Sequence, residues 1–181
     1  MDSITHQLAE FAVHLKSDDI PSNVRDRAKD LILDTVGIAI RARHDTASTD
    51  AMLAALSRLQ MTEGSSHVIG DEKTYPAAVA ALINGSCAHS LDFDDTHAAG
   101  SLHSSAPIVP AALAAAEIVA ADGAATLAAI IAGYEVQIRL SLALVPSDHY
   151  NRGYHPTATC GAFGAAVAAG RLLGLGVDQM R

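Results

Sequence analysis

Residues 106–144 read APIVPAALAAAEIVAADGAATLAAIIAGYEVQIRLSLAL. Two helices follow, 106–121 and 125–144, with Ala121-Asp122-Gly123 as the break between them. Alanine, the best helix former, dominates both. Pro107 and Pro110 sit near the first start, where a missing N–H costs least. The same alternation of helix and polar break continues outward. Upstream, Pro76 opens a helix reaching about Leu91, and another covers 48–60. Val24, Ala28, Leu31, Ile32, Thr35, Val36 and Ala39 mark a helix ending near Ile40, with a polar loop over 41–46. A first helix covers 3–16, with Asp2 or Ser3 as its cap. Downstream, 146–153 reads as a polar loop, 157–173 as a Gly/Ala-rich helix, and 177–181 as the first turn of another. Only 61–75 resists, with His67-Val68-Ile69 a short extended piece between glycines. No strand–helix–strand alternation appears. The expected class is all-α, a multi-helix bundle over 1–181.

Composition agrees. Of 181 residues, 50% are hydrophobic but only 4% aromatic, with no Trp, so small aliphatic side chains build the core. Mean hydropathy is +0.22, which suits a buried helical core or an oligomer interface. Twelve basic residues against 20 acidic ones give a net charge of −8 and no basic footprint for nucleic acid. Lysine is confined to Lys16, Lys29 and Lys73. Cys87 and Cys160 lack metal or redox spacing and read as buried free thiols in a reducing compartment. Met1-Asp2-Ser3 leads directly into an amphipathic pattern, without a signal peptide's basic and apolar regions. The apolar stretch 105–133 is interrupted by Glu117 and Asp122, and 158–170 falls short of the roughly 20 residues a bilayer requires. A soluble, cytoplasmic protein without membrane partners is expected.

Two segments carry chemistry. One runs Asn84-Gly85-Ser86-Cys87-Ala88-His89-Ser90-Leu91-Asp92-Phe93-Asp94-Asp95-Thr96-His97 and on to His103-Ser104-Ser105; the other is Gly153-Tyr154-His155-Pro156-Thr157. If the helix reaches them, Asp92 and Thr96, four apart, share one face and can hold a substrate carboxyl or hydroxyl. His103 can reach the same cavity through the Gly100 turn, and His155 precedes a helix N-terminus that favours anions. Imidazoles titrate in the range needed for general acid or base work. The set suits a small carboxylate and a proton transfer. Taken singly, each aspartate reads as a cap and His89 as a packed core histidine. His6, His14, His44, His67 and His149 read as surface residues. Asp92, Asp94 and Asp95 with His97 and His103 could bind a divalent ion. No second acidic motif supports this, so neither metal nor cofactor is expected.

At these segments the chain resembles the MmgE/PrpD family, which includes 2-methylcitrate dehydratases, cis-aconitate decarboxylases and iminodisuccinate epimerases. The matching residues are Asn84-Gly85, the run from His89 to His97, His103, Val109 to Ala114, Glu117 and Gly153 to Thr157. The resemblance implies a large helical domain plus a smaller α+β lid, a homodimer, and a metal-free site between the domains. It puts Asp92, Thr96, His103 and His155 on active-site positions, with the histidines as acid/base or carboxylate-binding groups. Asp92 and Thr96 would orient substrate and histidine. Family members usually read His-Pro-Ser where this chain has His103-Ser104-Ser105. They are more than twice as long, and their sites use lysines further along, which Lys16, Lys29 and Lys73 do not match. The implied protein is therefore the N-terminal part of a carboxylate lyase, inactive alone. Its first expected activity is 2-methylcitrate dehydration, with decarboxylase or epimerase as alternatives. Its partners are a small di- or tricarboxylate and either a second copy or a complementing C-terminal chain. A non-catalytic helical remnant or interaction module is the rival. Arg139 and Arg152 are the nearby cations in sequence.

Overall fold

The computed structural model describes residues 3–181, and the expected bundle is what it shows. Among these residues the elements are α1 (Ile4–His14), α2 (Ser22–Asp45), α3 (Ala47–Arg58), β1 (Ser66–His67), β2 (Thr74–Tyr75) and α4 (Ala77–His89). Then come α5 (Ser105–Val119), α6 (Gly123–Ala143), α7 (Pro146–Asn151), α8 (Pro156–Leu172) and α9 (Val177–Met180).

The caps explain the boundaries. Ser3 Oγ accepts from His6 N at 3.2 Å; Asp2, the other expected cap, lies outside the described residues. Asp122 Oδ1 accepts from Ala125 N at 2.7 Å and starts α6, while Ala120 in the left-handed region closes α5. The Arg171 guanidinium donates to the carbonyls of Ala12, Val13 and Leu15, so a side chain of α8 ends α1.

α6 and α8 form the central crossing, with α5 against both and α4 against α5. Gly133 and Gly164 face each other there. A Cβ on Gly133 would stand 2.7 Å from the Gly164 carbonyl oxygen, and one on Gly164 2.9 Å from that of Gly133. Around the crossing, Ile108, Val109, Ala112, Ile130 and Ala168 are fully buried. By length and composition α6 could cross a membrane, but 67% of its most apolar window is buried inside the fold.

Three local expectations are corrected. Residues 41–45 continue α2 instead of looping. Ala42 on that extension is fully buried, and Arg41 pairs with Asp45 one turn on. The polar stretch after Pro146 forms α7, with proline at its first turn. The extended piece at His67 pairs with Thr74–Tyr75 as a two-residue antiparallel ladder. Buried Asn84 pins that hairpin to α4: Oδ1 accepts from Ile69 N at 2.8 Å and Nδ2 donates to His67 O at 3.1 Å. Asp71 locks its far end by accepting from Lys73 N, Tyr75 OH and Arg43 Nη2. Burial pushes the Asp71 carboxyl up, but these three donors together hold it below the usual carboxylate value.

Candidate active site

The site is built on the 15 residues between α4 and α5. α4 stops at His89, and Asp92 turns the chain through the left-handed region (φ 55°). Asp92 and Thr96 therefore share no helix face, contrary to the sequence expectation. Each residue of the Asp-Asp-Thr-His run takes its own task. Asp94 turns inward and its side chain is wholly buried. Asp95 Oδ1 accepts from Ser105 N at 3.0 Å and so starts α5. Thr96 Oγ1 lies 3.5 Å from His103 Nδ1. His97 Nδ1 accepts from Gly100 N at 3.0 Å across a single 3₁₀ turn, and a bridge between His97 and Leu102 closes the loop.

The bundle then clamps the loop. Ser141 Oγ on α6 donates to Gly100 O at 2.6 Å, and buried Gln137 Nε2 donates to His103 O at 3.3 Å. From α8, Thr157 Oγ1 accepts from His103 N at 2.9 Å. Tyr150 OH on α7 donates to Ser101 O at 3.2 Å. His155 caps α8, its Nδ1 accepting from Thr157 N at 3.1 Å.

Three imidazoles converge as a result. The ring centroids of His89 and His103 are 5.0 Å apart, those of His103 and His155 6.2 Å, and those of His89 and His155 6.3 Å. His103 has a carboxylate beside each nitrogen: Asp94 Oδ1 at 3.5 Å from Nδ1 and Asp92 Oδ1 at 3.9 Å from Nε2. His155 is held below the ordinary imidazole value of 6.5 by burial first and then by His103 and His89, against a weaker pull from Asp92 and Asp94. Its Nδ1 accepts a backbone hydrogen bond, so the neutral ring carries its proton on Nε2. A cavity of about 500 Å³ opens between α4, α5 and α8, bordered by His89, His155 and Thr157 over a floor that includes Gly85, Pro107 and Gly161.

All four residues singled out from the sequence come to this cluster. Asp92, with its side chain 85% exposed, stands at the rim; Thr96 and His155 are exposed beside it, and His103 is half-buried. Two members were missed there. His89, read as a core histidine, is half exposed and donates or accepts at Nδ1 with Asp94 Oδ2 at 2.9 Å. Asp94, read as a solvated cap, is the buried partner of both His89 and His103. The available signal was a histidine on the last helical turn followed five residues later by an acid. The metal set weighed from the sequence is dispersed, because Asp95 and His97 serve as caps. A different trio, His89, Asp94 and His103, places its donor atoms within 4.8 Å of one another. His149 is half-buried, not on the surface, with Nε2 3.0 Å from Thr159 Oγ1. Cys87 and Cys160 are buried free thiols as expected. Arg139 is occupied with Glu135 on α6.

A helical bundle carrying this loop and a capping histidine brings three imidazoles and two carboxylates together. Residues 6–181 match the MmgE/PrpD N-terminal domain, and the chain belongs to that family. It is 34% identical to a cis-aconitate decarboxylase-like protein, oryM, of Aspergillus oryzae, over 98% of this chain and 38% of that protein. It is 35% identical to cis-aconitate decarboxylase of Aspergillus terreus, over 98% of this chain and 37% of that enzyme. Against human cis-aconitate decarboxylase the identity is 32%, over 100% of this chain and 38% of the enzyme. The chain thus spans less than two-fifths of the length of these relatives. These relatives are named as decarboxylases or decarboxylase-like, none of them as a dehydratase.

Proposed function

We propose that this chain forms the imidazole-bearing half of a decarboxylase site for a cis-aconitate-like unsaturated tricarboxylate. The observation that carries this is the identity of 30% or more, along essentially the whole chain, to several cis-aconitate decarboxylases. The geometry supports it through three imidazoles gathered with ring centroids within 6.3 Å of one another, two of them bordering the cavity.

In the reaction, one C–C bond to a carboxylate breaks and CO₂ leaves. The electron pair passes into the adjacent double bond and is spread toward a remaining carboxylate. One proton then closes the new C–H bond. The protein must hold the retained carboxylates, let the departing one lose its counter-charge, and deliver that proton. His103, with a carboxylate beside each ring nitrogen, is the ring placed to carry and deliver it. His155, pushed toward its neutral form, offers Nε2–H to a substrate oxygen. Thr96 and Asp92 orient His103 and the substrate edge. A trianion also needs permanent cations to offset desolvation. Arg139 is committed to Glu135, and the residues bordering the cavity include no lysine or arginine; exposed Arg152, three residues before His155, is the other nearby cation in sequence.

The test is CO₂ release from cis-aconitate by protein expressed from its complete reading frame. Release that falls about a hundredfold or more in His103→Ala supports the reading. Water loss from 2-methylcitrate without CO₂ from cis-aconitate would restore the dehydratase. Silence toward both acids from a folded protein would point to the non-catalytic rival.

A further inference from the structure

Asp94 has no part in the chemistry assigned above, yet its environment is the most constrained in the site. The side chain is 0% exposed. Oδ2 lies 2.9 Å from His89 Nδ1, and Oδ1, without any hydrogen bond, lies 3.5 Å from His103 Nδ1. A carboxylate removed from water is costly unless donors face it, and its ion-pair partners are these two imidazoles. A proton on Nδ1 of each ring would supply those donors. Of the other neighbours of His103 Nδ1, the Asp94 carbonyl at 3.4 Å can only accept, and the Thr96 hydroxyl at 3.5 Å can serve either way. His155 is wired the opposite way, since its Nδ1 receives a backbone N–H.

We propose that Asp94 is the positioning residue of this site: one buried carboxylate fixes His89 and His103 together in the Nδ1–H tautomer. Nε2 is then the free nitrogen of each ring. The three imidazoles form an ordered set, two with the proton on Nδ1 and one with it on Nε2. His89 joins the site through this shared carboxylate. The order is set by second-partner hydrogen bonds, the usual way a protein chooses an imidazole tautomer. The same three residues could instead hold a divalent ion; one bound through both Nδ1 atoms would need them stripped of protons, and that arrangement excludes this one.

The use of Nε2 in decarboxylation rests on the proposed function; the tautomers do not, and they are read on this chain alone. Long-range ¹H–¹⁵N spectra of ¹⁵N-labelled, chelator-treated protein above pH 7.5 should show His89 and His103 as Nδ1–H and His155 as Nε2–H. In Asp94→Asn the first two should move toward the Nε2–H form while His155 stays. Finding His89 and His103 as Nε2–H in the parent protein overturns the proposal, and so does an unchanged pattern in a folded Asp94→Asn. If that variant fails to fold, the parent spectrum alone decides. Zn²⁺ or Mn²⁺ bound one per chain through chelation and dialysis, with both Nδ1–H signals gone, also overturns it. In the complete enzyme Asp94→Asn should lower kcat about 10²- to 10⁴-fold with little change in KM, the range for losing an orienting carboxylate. An inactive parent with the expected tautomers would refute the decarboxylase reading and leave the positioning role standing.

Discussion

Placing one methyl group at two glycines should change stability in opposite directions. Gly37 lies on the exposed side of α2, and a Cβ there meets nothing within 4 Å. Gly37→Ala adds helix propensity without a clash, a gain of about 0.5–1 kcal/mol. Gly133 gains the same propensity, but its Cβ would stand 2.7 Å from the Gly164 carbonyl, 3.0 Å from Ile108 Cγ2 and 3.3 Å from Ala168 Cβ. Ordinary contact begins at 3.4 Å, so α6 and α8 must part by some tenths of an ångström. The first obstacle is backbone and cannot rotate away. Overpacking of this kind costs about 1–3 kcal/mol, more where neighbours cannot yield. Net of propensity, Gly133→Ala should lose about 2 kcal/mol. At about 2–4 °C per kcal/mol for a chain this size, its Tm should fall by roughly 4–8 °C. Gly37→Ala should rise by roughly 1–4 °C on the same scale. Thermal and urea unfolding followed by circular dichroism measure both. A Gly133→Ala protein as stable as the parent would refute the claim that backbone contact sets the α6–α8 crossing.

Three further outcomes follow from single groups. Ser104 is 2% exposed and its hydroxyl lacks a partner, so Ser104→Ala should raise stability by about 1 kcal/mol in urea unfolding. Asp71 is held below its ordinary value of 3.8, so its contribution is present above that pH and lost as pH falls through the folded-state value. Asp71→Asn should therefore cost about 1–3 kcal/mol at neutral pH, and the gap to the parent in thermal midpoint should narrow below pH 3.8. His155 is also held below its ordinary value: the unfolded chain takes up its proton first as pH drops through 6.5, so the folded state loses stability there. His155→Gln should flatten the fall in Tm between pH 7.5 and 5.5, and an equally steep fall would contradict the assigned environment.

The sequence disclosed the fold where local chemistry and packing agree. Ser3 reads as a cap and acts as one, Asp122 falls at the break expected there, and the alanine-rich runs are helices. It misled where packing overrides polarity. Residues 41–45 look like a loop, yet Ala42 is buried and carries α2 onward. Pro146 signals a helix start as readily as a break, and α7 took the first option. At the site, residue types were legible but their arrangement was not. Asp92, Thr96, His103 and His155 could be named from their setting and family resemblance. A loop offers no periodicity from which to see that Asp94 turns inward while Asp92 stays exposed. One left-handed residue, Asp92, decides that, and an aspartate accepts that conformation without announcing it.

The way the loop is clamped also sets when the site can assemble. His89 and Asp94 are five residues apart, but Ser141 reaches Gly100 across 41 residues and Thr157 reaches His103 across 54. During synthesis the first pair can meet almost as soon as it leaves the ribosome. His103 is seated only after residue 157 has been made and α8 has docked, because distant contacts close loops before they repay their entropy. The imidazole cluster is thus a late product of folding. A partial opening that lifts α8 away would scatter the three rings while α4 and α5 stay paired, and amide exchange at His103 should report that opening before the helices themselves melt.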